Sequence, residues 1–344
     1  MEIAIGLLII AVGAFCQSSC YVPINKIKQW SWESYWIVQG VFAWLVLPLL
    51  GALLAVPAGH SLCELFTPER SFNVWMTILF GVLWGVGGLT FGLSMRYLGV
   101  ALGQSIALGT CAGLGTIMGP VLLNVFFPET DPLSQLTSAV IIGVVVTLIG
   151  IAIIGVAGSM KAASLSDEDK KAAVKDFNFP KGIAIALLAG FMSGCFNVGL
   201  EFGKDINFGE LTDPMFRTLP ATLLVTLGGF VTNAVYCFYQ NQHNHTWGDY
   251  AKGSVWANNL FYCLLAGALW YSQFFGLALG KGFLTDSPTL MTLSFCILMA
   301  LNVVFSNVWG IILKEWKGCS PKTIAVLIVG IVVLVVSCFL PQII

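Results

Sequence analysis

Ten long apolar segments, separated by short polar stretches, make up almost the whole chain. They run roughly over 3–22, 35–57, 73–95, 98–126, 136–158, 182–203, 218–239, 257–280, 288–313 and 321–343. A bilayer core of ~30 Å is crossed by about 20 apolar residues in helical form, and each segment reaches that length. Lipid offers the backbone no hydrogen-bond partner, so a spanning segment satisfies its own N–H and C=O groups as a helix or pairs them in a closed barrel. A barrel would show ~10-residue alternating segments instead. The fold class expected is all-α integral membrane, with ten transmembrane helices. Only 10% of the residues are charged and the mean hydropathy is +0.87, against roughly 25% charged residues in soluble domains. The fourth segment holds Gly109, Gly113, Gly115, Gly119 and Pro120, and a kink or break is expected near Pro120.

Lysine and arginine set the expected orientation, because cytoplasmic loops carry the excess. The connections after odd-numbered segments hold 12 of these residues and the opposite side holds 4. Both termini are therefore expected outside. The first segment is apolar from residue 3 and lacks a basic leader and a small-residue cleavage site, so it reads as a retained span. The longest polar stretch, 159–181, divides the segments five and five. An odd number of spans makes the second half enter from the opposite side, the geometry of an inverted-topology repeat. Residues 1–344 are thus expected to form one membrane transport domain, with 1–160 as the first five-helix repeat and 161–344 as linker and second repeat. Weak echoes agree: Phe91-Gly92-Leu93-Ser94-Met95 against Phe275-Gly276-Leu277-Ala278-Leu279, and IIGVVVTLIG against LIVGIVVLVV. Inverted repeats commonly serve alternating access.

Several function classes lose support. Net charge is −1 with no basic patch, which gives nucleic acid no footprint. The ten cysteines lie mostly in apolar runs without metal-type spacing, so they behave as small apolar residues and no metal or cofactor is implied. HExxH, GxSxG and Walker sequences are absent, and His60, His243 and His245 all lie in loops, so no enzyme is expected. The sequon at Asn244-His245-Thr246 falls on the cytoplasmic side of the charge count and is not expected to carry a glycan. Small-xxx-small pairs at Gly81/Gly85, Gly109/Gly113, Gly115/Gly119, Gly190/Gly194, Gly199/Gly203 and Gly276/Gly280 let helix backbones approach closely.

Polar groups inside spans are costly and are functional candidates by default. Buried Ser and Thr are expected to bond their own helix backbone. The amides Gln17, Gln104, Asn197 and Gln273, with the rings of Trp84 and Trp270, are the expected substrate contacts. Neutral amides beside aromatic faces suit an uncharged polyol such as a sugar; an anion would call for a mid-span Arg or Lys. Glu201 is a carboxylate within a span, and Lys204 follows three residues later on the same face. It is either a proton carrier or half of a structural ion pair near the interface.

Six stretches carry a family likeness: KQWSWE (28–33), SMRYLG (94–99), FNFPKG (177–182), LPATLLVTLGGFVTN (219–233), LWYSQFF (269–275) and LKEW (313–316). With them the chain resembles, over essentially its whole length, the bacterial L-rhamnose–proton symporters of the drug/metabolite transporter superfamily. The resemblance implies ten helices, a bacterial inner-membrane location, and proton-driven uptake of L-rhamnose and related sugars such as L-lyxose or L-mannose. The partners are then a small neutral sugar, protons and the bilayer. Matched charges at span ends, Lys26, Glu33, Arg96, Lys204, Lys314 and Glu315, become candidate gates or anchors. The alternatives are a transporter of another sugar or small metabolite from the same superfamily, and a membrane sugar sensor that moves nothing.

Overall fold

A computed structural model describes residues 2–98, 100–164, 178–314 and 316–340. Ten helices in it are long and apolar enough to cross a membrane. They are α1 (Glu2–Ser19), α2 (Trp32–Leu54), α3 (Ser71–Leu98), α4 (Val100–Phe126), α5 (Ser138–Ala163), α6 (Phe179–Phe202), α7 (Leu219–His243), α8 (Gly253–Gly282), α9 (Pro288–Ile312) and α10 (Pro321–Phe339). Short 3₁₀ turns join several of them, and no strand occurs among the described residues. The helix count and class match the sequence expectation. The break expected near Pro120 does not occur: α4 is helical through it to Phe126. Proline is tolerated inside membrane helices when neighbouring groups take up the freed backbone partner.

The interruption lies instead in α2. Its residues Val41–Val46 form a π turn, in which the N–H of Leu47 reaches back to the carbonyl of Phe42. Pro48 follows directly. Proline has no N–H to offer the carbonyl four residues earlier and its ring crowds that carbonyl; the residue in question is Trp44. A π turn accommodates one extra residue and swings the side chains beyond it around the helix axis.

The chain forms two compact units, Met1–Gly85 with Gly199–Thr285, and Val86–Val198 with Asp286–Ile344. In the first, α1 lies along α8 through glycines. A Cβ on Gly6 would stand 2.8 Å from the Gly280 carbonyl, and one on Gly13 2.8 Å from that of Ser272. The early part of α3 seats on α7 in the same way. A Cβ on Gly228 would stand 2.7 Å from the amide nitrogen of Val82, and Thr232 Oγ1 donates to the Val82 carbonyl at 2.9 Å. In the second unit, α5 packs on α10 through Gly150 and Gly330, with Thr147 Oγ1 bonded to Ser337 Oγ at 3.0 Å. There α6 meets α4 through Gly190 and Gly194, and Asn197 Nδ2 donates to the Gly115 carbonyl at 2.8 Å. Lipid is as apolar as a leucine side chain, so helices gain from touching only by close contact and interhelical hydrogen bonds. Glycine permits that contact.

Close packing of this kind is sharply position-dependent. Gly228→Ala should lower stability by ~1–3 kcal/mol through overpacking and reduce the thermal midpoint in detergent by several degrees. Gly88 has open space where its Cβ would lie. Gly88→Ala should leave the midpoint unchanged or raise it, because alanine is the better helix former by about 1 kcal/mol.

Candidate functional site

Aromatic rings dominate the interior of the first unit. Trp32 stacks on Trp36 at 5.3 Å, Trp36 meets Trp44 edge-on at 5.7 Å, and Trp44 meets Trp84 and Trp270 at 6.1 and 5.9 Å. Trp84 and Trp270 lie 5.6 Å apart and tilted, and Phe274 continues the row beyond Trp270. Edge-on and tilted pairs are the arrangements that the ring quadrupole favours. Two glycines make room: the Trp44 ring lies over Gly40 of its own helix, and the Trp84 ring lies over Gly229 of α7. The Trp36 indole nitrogen donates to Asn233 Oδ1 at 3.0 Å. Trp84 and Trp270, expected as substrate rings, are therefore brought together. Gln273 is buried one turn along from Trp270 and donates to its carbonyl at 3.2 Å.

The remaining expected contacts disperse. Gln17 is half-buried near the end of α1. Asn197 belongs to the second unit, buried, its amide nitrogen on Gly115 and its amide oxygen without a partner among the described residues. The side chains of Gln104 and Arg96, and residue Glu315, lie outside the described residues. Several hydroxyls bond their own helix as anticipated, whereas Thr147 and Thr232 reach a neighbouring one. Ser18, Ser19, Thr110 and Ser272 donate to carbonyls of their own helices at 3.0, 2.8, 2.7 and 2.7 Å. A cleft of about 620 Å³ in the second unit, lined by α4 and α5 residues such as Gly109, Leu148 and Gly155, is almost wholly apolar.

Glu201 stands in the last turn of α6, half-buried. Lys204 is exposed beyond the helix end. Lys281, buried in the last turn of α8, is close enough for its charge to interact with Glu201. Sequence spacing points to Lys204 because it is near along the chain; Lys281 is 80 residues away and becomes a neighbour only through helix packing.

At one end of the first unit, residues 26–34 are clamped by 241–259. Asn259 bonds both backbone groups of Lys28, at 2.8 and 3.0 Å, and Asn258 donates to the Lys26 carbonyl at 3.0 Å. Lys252 Nζ donates to the Gln29 carbonyl at 2.7 Å, where Gln29 adopts a left-handed φ of 55°. Trp30 packs edge-on against Tyr250 and Trp256. Asp249 Oδ2 accepts from Ser31 N, Ser31 Oγ and Ser34 Oγ at 2.7, 2.7 and 2.9 Å, while its Oδ1 lies 2.6 Å from Lys252 Nζ. Glu33, only 5% exposed, accepts from Asn244 at 3.0 Å and Thr246 at 2.8 Å. The sequon residues are thus ligands of Glu33. Lys26 is exposed. Burial works against ionisation of Asp249, but the Lys252 ammonium and the serine donors outweigh it and hold its carboxyl down at about 2. Asp249 and Lys252 lie between apolar segments in an ordinary-looking loop, and no local pattern marks them.

The comparisons with known proteins agree on one family. The family described as L-rhamnose-proton symport protein matches residues 1–342. Proteins named L-rhamnose-proton symporter from Yersinia pestis (strain Pestoides F) and Yersinia pseudotuberculosis serotype O:1b (strain IP 31758) are each 30% identical over 343 residues. The alignments cover 97% of this chain and 96% of each relative.

The clamp makes a prediction about acid stability. A carboxyl with a depressed folded-state pKa adds stability that is complete above its unfolded value and is lost as pH falls through the folded value. For Asp249 that window runs from the ordinary 3.8 down to about 2. Asp249→Asn should therefore cost about 2 kcal/mol at neutral pH, and less on acidification across that window. Detergent unfolding curves of both proteins between pH 7 and pH 2.5 measure the difference.

Proposed function

The chain belongs to the L-rhamnose-proton symport protein family, and from that premise we propose that it takes up L-rhamnose together with protons across the bacterial cytoplasmic membrane. The observation that carries this is the family match along residues 1–342, laid over ten membrane-spanning helices. The chemistry of the first unit supports it. Half-buried Trp84 with buried Trp270 and Gln273 put aromatic faces and a neutral amide together, as a neutral sugar needs. Gln17, Gln104 and Asn197 are proposed as further polar contacts. Because the alignments run almost end to end with proteins named for rhamnose, that sugar is favoured over another sugar or metabolite, and transport over sensing.

Transport proceeds by alternating access of two inverted five-helix halves, 1–160 and 161–344. The pairing of helices supports the inversion. Exchanging each helix with the one five places on turns the α1–α8 contact into α6–α3, and leaves α2–α7 and α5–α10 as themselves. Each of these pairings occurs within a unit. Both termini face outward by the lysine and arginine count. Glu33, held by Asn244 and Thr246, acts as an anchor at the cytoplasmic end rather than as a gate. Lys26, Arg96, Lys204 and Glu315 are proposed as interfacial anchors.

Glu201 is the proton-coupling carboxylate, with Lys281 as its counter-charge in place of Lys204. When the carboxyl takes up a proton, the lysine loses its partner, and this couples proton occupancy to the packing of α6 and α8. One charge crossing ~100 mV yields ~2.3 kcal/mol, enough for roughly 40- to 50-fold accumulation of a neutral sugar.

L-Rhamnose added to lightly buffered, de-energised cells expressing the protein should cause a transient external alkalinisation that a protonophore abolishes. Glu201→Gln should lose the alkalinisation while retaining rhamnose counterflow in vesicles. Alkalinisation at the wild-type level in that variant would assign the proton to another group.

A further inference from the structure

Along the seam of α2 and α8 in the first unit, three polar atoms are buried without a partner among the described residues: the Gln39 amide oxygen, the Trp44 indole nitrogen and the Tyr271 hydroxyl. Neighbouring contacts trace the seam. Gly267 of α8 sits against the Gln39 carbonyl, Trp270 against Trp44, and Tyr271 against Gly51 of α2. Trp44 is the central one. Its side chain is 3% exposed, and an N–H buried without an acceptor costs about 1–3 kcal/mol. A protein retains such a group when something outside the protein supplies the acceptor, or when strain forces it there. Here the position looks arranged. Pro48 imposes the π turn that sets the direction of Trp44, and π turns recur at functional sites. Gly40 leaves the space in which the ring lies.

The neighbouring indoles narrow the ligand. Trp36 in the same cluster, half-buried, has its nitrogen satisfied by Asn233 and so needs no acceptor from a ligand. Trp44 lies between it and the tilted pair Trp84 and Trp270. Apolar ring faces beside a lone donor fit a sugar, whose C–H face stacks on the rings while a ring hydroxyl accepts the hydrogen bond. A charged ligand finds no counter-charge among these groups. Trp30 also has an unpartnered indole nitrogen, but it sits in the clamp with Tyr250 and Trp256, away from this seam.

We infer that Trp44 is a sugar-binding residue whose indole N–H donates to a ring hydroxyl of a neutral pyranose, with the π turn of α2 aiming it and Trp84 and Trp270 walling the subsite. The inference rests on L-rhamnose being the substrate. It adds a donor to a set of contacts otherwise made of amides and ring faces.

The test is equilibrium binding by titration calorimetry to the purified full chain, using L-rhamnose and the analogues that each lack one ring hydroxyl. Trp44→Phe keeps an aromatic ring and removes the donor. It should weaken L-rhamnose binding about tenfold, the worth of one hydrogen bond. One analogue should bind the native protein about tenfold more weakly than L-rhamnose does, yet lose nothing more in Trp44→Phe, because the two changes delete the same interaction. If Trp44→Phe binds L-rhamnose as the native protein does, or weakens every analogue equally, Trp44 is packing only and the inference is overturned while the proposed function stands. If the native protein binds no L-rhamnose, the proposed function fails and the inference falls with it. Should Trp44→Phe not accumulate in the membrane, Gly40→Ala displaces the ring without altering it, and the same analogue comparison decides the outcome.

Discussion

A bilayer interior supplies neither hydrogen bonds to the backbone nor a hydrophobic drive between helices, and both absences shape this protein. The first makes every span a helix and turns its hydroxyls back onto their own carbonyls, as Ser18, Thr110 and Ser272 do. The second leaves contact area and interhelical hydrogen bonds as the means of holding helices together. Glycines at positions 13, 228 and 330 therefore bring backbones together. Some polar side chains cross between helices onto a backbone carbonyl, as Thr232 does to Val82 and Asn197 to Gly115, and others onto a side chain, as Thr147 does to Ser337 and Trp36 to Asn233.

Against that economy of polar contacts, the first unit is divided. Its clamped end is richly bonded: Asp249, Glu33 and backbone groups of Lys26, Lys28, Gln29 and Ser31 find donors or acceptors across the clamp. The seam of α2 and α8 is not, and it keeps Gln39, Trp44 and Tyr271 unpartnered. A richly bonded end beside a less satisfied interior is a distribution that suits a carrier. The fixed part needs a single low-energy arrangement, whereas the binding part must exchange solvent for substrate at similar free energy.

Five of the six stretches that carry the family likeness sit at contacts between elements. KQWSWE is the strand of chain that the clamp grips. LPATLLVTLGGFVTN supplies Gly228, Gly229, Thr232 and Asn233 to α3 and to the indole cluster. LWYSQFF supplies Trp270, Tyr271 and the carbonyl that approaches Gly13. FNFPKG meets SMRYLG, with Asn178 N donating to the Tyr97 carbonyl at 3.3 Å and Lys181 over the Tyr97 ring at 4.5 Å. Motifs of this kind preserve the places where two helices or a helix and a loop must meet.

The sequence by itself determined the number and kind of spans, because hydropathy is summed over each segment without reference to any other. It also marked Trp84, Trp270 and Gln273 as interior groups, since a polar or aromatic residue inside an apolar run is conspicuous one-dimensionally. Only the tertiary structure decided which groups face one another. Lys281 comes near Glu201, because a neighbour in space is chosen by helix packing and not by distance along the chain. Asp249 and Lys252 matter through partners more than 200 residues away. Nothing in the sequence sets Trp44 apart from its apolar span; in the fold the π turn before Pro48 sets its direction, and its buried N–H has no acceptor among the described residues. An unsatisfied donor is a property of surroundings, and surroundings exist only once the chain is folded.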